Sequence, residues 1–134
     1  MTVLKIFLNI IIIVLAIAVL ALIVLRVAGF SPYIVKSGSM SPLYEENTLI
    51  FAKKVKFKEL KQYDIIVFLN SNNNRTVHRI MEIDEENKQV ITKGDNNQFI
   101  DILPVYEENI VGKVSFKVPY SEKLISKILN FKGA

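Results

Sequence analysis

From Ile6 to Leu25 every position is apolar except Asn9, and Lys5 and Arg26 bracket the run. A helix of about 20 residues extends about 30 Å, the thickness of a bilayer's hydrocarbon core. A core helix this uniformly apolar would be out of proportion in a small domain. A cleaved signal peptide has a shorter apolar region followed by a small-x-small site, whereas Ala16-Ile17-Ala18 lies inside this run. The pattern therefore predicts an uncleaved transmembrane anchor over residues 1–26. One lysine before the run and one arginine after it encode orientation weakly, with the N-terminus inside by a slight margin.

Beyond the anchor the pattern changes. Val27–Lys36 reads as a linker, with Gly29 and Pro32 as helix breakers and Phe30 and Tyr33 suited to a lipid–water interface. Short, partly β-branched apolar runs follow, separated by polar turns. Strands are expected over Thr48–Val55, Asp64–Leu69, Thr76–Asp84, Gln89–Lys93 and Ile110–Val118. Ser71-Asn72-Asn73-Asn74 makes residues 64–84 a hairpin, and Asp84-Glu85-Glu86-Asn87 joins a second pair. Gly94-Asp95-Asn96-Asn97 is a further turn. Lys53, Lys54, Lys56, Lys58 and Lys61 fit a solvated turn better than a headgroup contact. In Ser121–Lys132, Leu124, Ile125, Ile128 and Leu129 share one helical face, and lysines lie elsewhere around it. This is a short amphipathic helix, to lie on a membrane or pack on the domain. The expected division is an anchor over 1–26, a β-rich domain over 27–120 and an amphipathic segment over 121–134.

With 134 residues there is room for one modest domain. The chain has no cysteine, which excludes disulfides, thiolate metal sites and a cysteine nucleophile. Its net charge of +4, from 17 basic and 13 acidic residues, is too mild to indicate nucleic acid and suits anionic lipid.

Ser37-Gly38-Ser39-Met40-Ser41-Pro42 is the first stretch with candidate chemistry. Glycine permits close backbone approach and proline stops a helix. The expected product is a bent loop presenting a hydroxyl beside a backbone N–H, as a serine nucleophile with an oxyanion donor requires. An ordinary Ser/Gly/Pro turn explains this stretch alone at least as well. His78, the single histidine, lies in Arg75-Thr76-Val77-His78-Arg79-Ile80. On a strand it shares a face with Thr76 and Ile80, opposite Val77 and Arg79. A lone histidine is more often structural, but no other residue type here is as good a base near neutrality. Asp95 and Asp101 follow; Asp95 fits equally well as the cap of its own turn. Glu45, Glu46, Glu107 and Glu108 read as solvated surface.

Ser-Gly-Ser-Met-x-Pro resembles the nucleophile box of type I signal peptidases (the S26 family). Tyr63–Phe68 with Val77-His78-Arg79-Ile80 resembles that family's second and third boxes. The common bacterial branch has a lysine before the arginine. His78 at that position is similar to the Ser/His branch of the endoplasmic reticulum and archaea, also found in spore-formers as the SipW type. Lys93-Gly94-Asp95-Asn96-Asn97 resembles a box of the same branch, and Asp101 matches its second acidic position. The resemblance covers roughly residues 1–120.

It implies a mainly β fold: a signal-peptidase-like catalytic core of coiled antiparallel sheets, preceded by one transmembrane helix. It further implies a membrane-bound serine endopeptidase that cleaves signal peptides from exported preproteins after small residues at P1 and P3. Ser39 would attack, with His78 as general base and Asp95 or Asp101 orienting it. Ser37 and the Ser39 N–H would form the oxyanion hole. No metal or organic cofactor is expected. The expected partners are secretory preproteins, the bilayer and the secretion machinery, not nucleic acid. The catalytic domain is expected on the extracytoplasmic side of the cell membrane. Many relatives of this branch carry a second membrane segment after the Val-Pro-Tyr found here at Val118-Pro119-Tyr120, but a single-pass topology is expected for this chain. Ser39 lies 13 residues past Arg26, a tether of at most about 45 Å, which keeps it near the membrane.

Two other readings remain open. A repressor-type self-cleaving protease would use lysine and lack an anchor, so His78 and residues 6–25 oppose it. A non-catalytic or partner-dependent membrane-tethered β module that presents substrates would tolerate alanine at Ser39 and His78.

Overall fold

The computed structural model describes residues 2–132. The chain divides into two compact units, one ending at Ser31 and one beginning at Pro32. The expected anchor and C-terminal segment extend to residues 1, 133 and 134, which lie outside the described residues.

The first unit is dominated by α1 (Thr2–Val27), a 26-residue helix long and apolar enough to cross a membrane and nowhere buried within the protein. Arg26 in its last turn donates to the Ser31 hydroxyl at 2.6 Å.

Seven strands follow, the first beginning two residues before the second unit: β1 (Phe30–Ile34), β2 (Leu49–Lys53), β3 (Ile65–Leu69), β4 (Arg75–Asp84), β5 (Gln89–Lys93), β6 (Val105–Tyr106) and β7 (Ile110–Lys117). They form a curled antiparallel half-barrel in the order β1-β2-β7-β3-β4-β5-β6. The mainly β expectation therefore holds. Register shifts at Phe51/Ala52, Val67/Phe68 and Ile80/Glu82 supply curl, since an extra residue bends the strand that carries it.

Both faces of the sheet are covered, which explains the unbroken run Ile65-Ile66-Val67-Phe68 in the middle strand. Ile65 and Val67 join Val35, Met40, Tyr44, Ile50, Ala52, Val77 and Val114 in one cluster. Ile66 and Phe68 join Phe57, Leu60, Ile80, Val90 and Val105 in the other. Phe57 and Leu60 come from the lysine-rich stretch. It makes a 3-10 turn over Phe57–Glu59, closed by the Lys56 N–H donating to Glu59 Oε2 at 2.7 Å, with its lysines exposed.

The hairpin and the second strand pair expected over 64–93 are present as β3–β4 and β4–β5. In the first turn Asn70 Oδ1 accepts the N–H groups of Asn72 and Asn74, both at 3.0 Å. In the second, Asp84 accepts the Asn87 N–H at 3.0 Å. The amphipathic helix is α2 (Ser121–Lys132). It is fixed to the sheet where Ser121 Oγ accepts the Leu49 N–H at 2.8 Å and donates to the Val118 carbonyl at 2.7 Å.

Two strands were not expected. β1 falls in the predicted linker, where Pro32 had the look of a breaker; an edge strand tolerates a proline because one side of its ladder is empty. β6 has only two residues, too few for an alternating pattern.

Ile66 is fully buried and pairs with His78. Ile66→Ala is expected to cost about 2–5 kcal/mol, read as a lower denaturation midpoint for the detergent-solubilised protein.

Candidate active site

Ser39 lies in a 3-10 turn, Gly38–Met40, whose N-cap is Ser37. Met40 anchors the turn, fully buried in the first cluster. Ser39 is thereby raised at the surface beside a fixed neighbour. Ser37 Oγ lies 3.0 Å from Ser39 Oγ and accepts a long, 3.4 Å hydrogen bond from the Ser39 N–H.

His78 comes from the middle of β4. It is 8 % exposed, and its ring sits edge-on to Phe68 with centroids 6.0 Å apart. Both ring nitrogens are engaged. Nε2 is 3.1 Å from Ser39 Oγ, and Nδ1 is 2.6 Å from Asp101 Oδ2. With Nδ1–H donating to the carboxylate, Nε2 carries the lone pair that faces the serine.

Asp101 is itself held in place. Its N–H donates to the Thr92 carbonyl at 2.8 Å, and its Oδ2 accepts from Thr92 Oγ1 at 2.6 Å. Thr92 is fully buried and lies opposite Ile80 in the β4–β5 ladder. Thr92 was missed by the sequence reading. Its signal was a polar residue on the inward side of an alternating strand, in step with Val90.

The structure separates the two aspartates that the sequence left open. Asp101 is the one within reach of His78. Asp95 is held by Arg79, whose Nε and Nη2 donate to Asp95 Oδ1 and Oδ2 at 2.8 and 2.7 Å. Arg79 Nη1 also donates to the Tyr63 carbonyl at 2.9 Å. This two-pronged pairing is the strong form of an arginine–carboxylate contact. Hydrogen bonds from Arg79 hold the Asp95 carboxyl below the usual carboxylate range, against the opposing effect of its burial. The Asp95 bond likewise raises the Arg79 guanidinium.

The loop that carries Asp95 also grips the serine turn. The Asn96 N–H donates to the Ser39 carbonyl at 2.8 Å, Asn96 Nδ2 to the Gly38 carbonyl at 3.2 Å, and the Asp95 N–H to Met40 Sδ at 3.4 Å. Gly94 allows this approach, because a Cβ there would come within 2.7 Å of the Ser39 carbonyl oxygen.

The sequence profile described as signal peptidase, peptidase S26 matches residues 7–96. The chain belongs to the signal peptidase family. Signal peptidase I W of Bacillus subtilis (strain 168) is 36% identical over 97 residues, covering 69% of this chain and 51% of that protein. The human signal peptidase complex catalytic subunit SEC11C is 28% identical over 99 residues, covering 65% and 51%. The SEC11 subunit of Candida tropicalis (strain ATCC MYA-3404 / T1) is 31% identical over 114 residues, covering 74% and 68%. These relatives put the chain in the branch of the family that includes the bacterial W type and the endoplasmic-reticulum type. The chain spans about half the length of the first two.

The Asp95–Arg79 pair gives stability a signature in acid. A carboxyl held low in the fold stabilises above its ordinary value, near about pH 4, and that contribution is lost as pH falls through the lower folded value. Asp95→Asn is therefore expected to melt below the wild type at pH 7, with the gap closing below about pH 4. A gap in melting temperature that stays constant from pH 7 to pH 3 would contradict the pairing.

Proposed function

We propose that this signal peptidase family member is a membrane-anchored serine endopeptidase that removes signal peptides from exported preproteins. The observation that carries the reading is the 3.1 Å approach of His78 Nε2 to Ser39 Oγ, on an imidazole whose other nitrogen meets Asp101. In the proposed reaction Ser39 Oγ adds to the scissile carbonyl while its proton passes to His78 Nε2. Asp101 stabilises the imidazolium so formed and keeps the ring in one tautomer. The Ser39 N–H, released from its long bond to Ser37, and the Ser37 hydroxyl donate to the oxyanion. Collapse breaks the C–N bond, and His78 returns the proton to the leaving amine. Water, activated by the same imidazole, then hydrolyses the Ser39 ester. Asp95 acts at one remove, as a positioning residue: with Arg79, Gly94 and Asn96 it fixes the turn that carries Ser39.

The preprotein binds as an extended strand along a groove of about 1060 Å³ that reaches Ser37 and Ser39. Pro32–Ile34 of edge strand β1 line it, which favours strand addition. Small P1 and P3 residues follow from the family. Thr2–Val27 serves as a single-pass anchor, with the catalytic unit on the extracytoplasmic face where preproteins emerge.

The test is a processing assay on a preprotein with a small-x-small site, using the full chain in membranes or detergent. Wild type is expected to cleave. Ser39→Ala should lose activity by about 10⁴-fold or more and Asp101→Asn by about 10⁴-fold, whereas Asp95→Asn, acting through position alone, should lose no more than about 10²-fold. Cleavage that survives Ser39→Ala would overturn the serine mechanism. Equal losses for the two aspartate variants would overturn their division of roles.

A further inference from the structure

A second cavity, of about 920 Å³, opens beside His78. It shares Leu69 and Thr76 with the first groove, but His78 and Asp101 line it where Ser37 and Ser39 line the other. Its walls include Phe68, Ile100, Leu103, Pro104, Val105 and Tyr106, and Asp101 is its one charged lining residue among those described. The asparagine amides of Asn97 and Asn109 stand along it, groups able to hold the backbone of an extended chain. The segment around Asp101 is unusually exposed for its composition. Phe99 is 74%, Ile102 96% and Leu103 60% exposed. Large apolar side chains gathered beside a site mark a binding surface.

We propose that this cavity is the subsite for the first residues after the cut, and that it selects apolar side chains there. The inference rests on the serine endopeptidase reading above. His78 must hand its proton to the leaving amine, so the leaving chain departs on the side of the site that the imidazole lines. That side is this cavity. The occupant is the continuation of the same substrate chain, because Ser39 lines the first groove and His78, 3.1 Å from it, lines this cavity, so the bond that is cut lies between the two. Its volume lies within the range of ligand pockets and admits more than one large side chain. Acidic residues after the cut would face the Asp101 carboxylate across an apolar lining and are disfavoured.

The experiment uses the full chain in detergent and peptides sharing one small-x-small site. They differ at the two positions after the cut: Phe-Leu, Ala-Ala or Asp-Asp. The expected kcat/KM for Phe-Leu exceeds that for Asp-Asp by about 10- to 200-fold, and Leu103→Asp reduces that ratio. Cleavage of all three at equal kcat/KM would overturn the subsite and leave the endopeptidase reading standing. Should no peptide be cut, that reading fails, and fluorescence anisotropy with Ser39→Ala still decides the subsite: equal affinity for the three peptides overturns it, and tighter Phe-Leu binding upholds it. A Leu103→Asp chain that binds lipid vesicles less well but keeps the wild-type ratio would assign the exposed segment to lipid and overturn the proposal.

Discussion

A neutral imidazole has two nitrogens and one proton, and the arrangement around Ser39 depends on which nitrogen carries it. The 2.6 Å contact between His78 Nδ1 and Asp101 Oδ2 fixes that choice. It does so on a ring that is 8 % exposed and backed by Phe68, so water competes little for either nitrogen. The carboxylate in turn is fixed by Thr92, through a backbone and a side-chain hydrogen bond. Three residues far apart in sequence are thus joined by short, directional contacts, each of which limits the freedom of the next. A serine hydroxyl beside an imidazole nitrogen held this rigidly has the geometry that the proposed acyl transfer requires.

A second constraint acts on the serine itself. The Ser37–Ser41 stretch is a single 3-10 turn and depends on what packs behind it. Met40 fills a buried site below it, and the 94–96 loop clasps its carbonyls from the side. Arg79, next to His78 in β4, holds Asp95 and so ties that loop to the strand carrying the imidazole. Adjacent residues of one strand point to opposite faces. His78 thereby meets Asp101 while Arg79 meets Asp95.

Much of this was legible in the sequence because it depends on local patterns. Short, partly β-branched apolar runs and Asn- or Asp-rich turns gave the strands from β2 to β5 and β7. The unbroken apolar run gave α1. The Ser-Gly-Ser-Met, His-Arg and Gly-Asp-Asn boxes together pointed to the family. The partner of His78 was not legible. Asp95 and Asp101 sit six residues apart in a loop, and chain spacing says nothing about how a loop folds back. The contact of the Asp101 N–H with the Thr92 carbonyl sets that register. Thr92 itself looked like one more β-branched strand residue. β1 and β6 were hidden by a proline and by shortness.

In the proposed reaction Asp101 acts through His78 and not beside it. A double-mutant cycle on kcat/KM decides this, with His78→Ala, Asp101→Ala and the double variant compared on one preprotein. If Asp101 works by holding the ring, its removal does nothing once the ring is gone, and the double variant matches His78→Ala. Residues that act as a unit are non-additive in this way. Losses that add in full would contradict the account, because they would give Asp101 a role independent of the histidine.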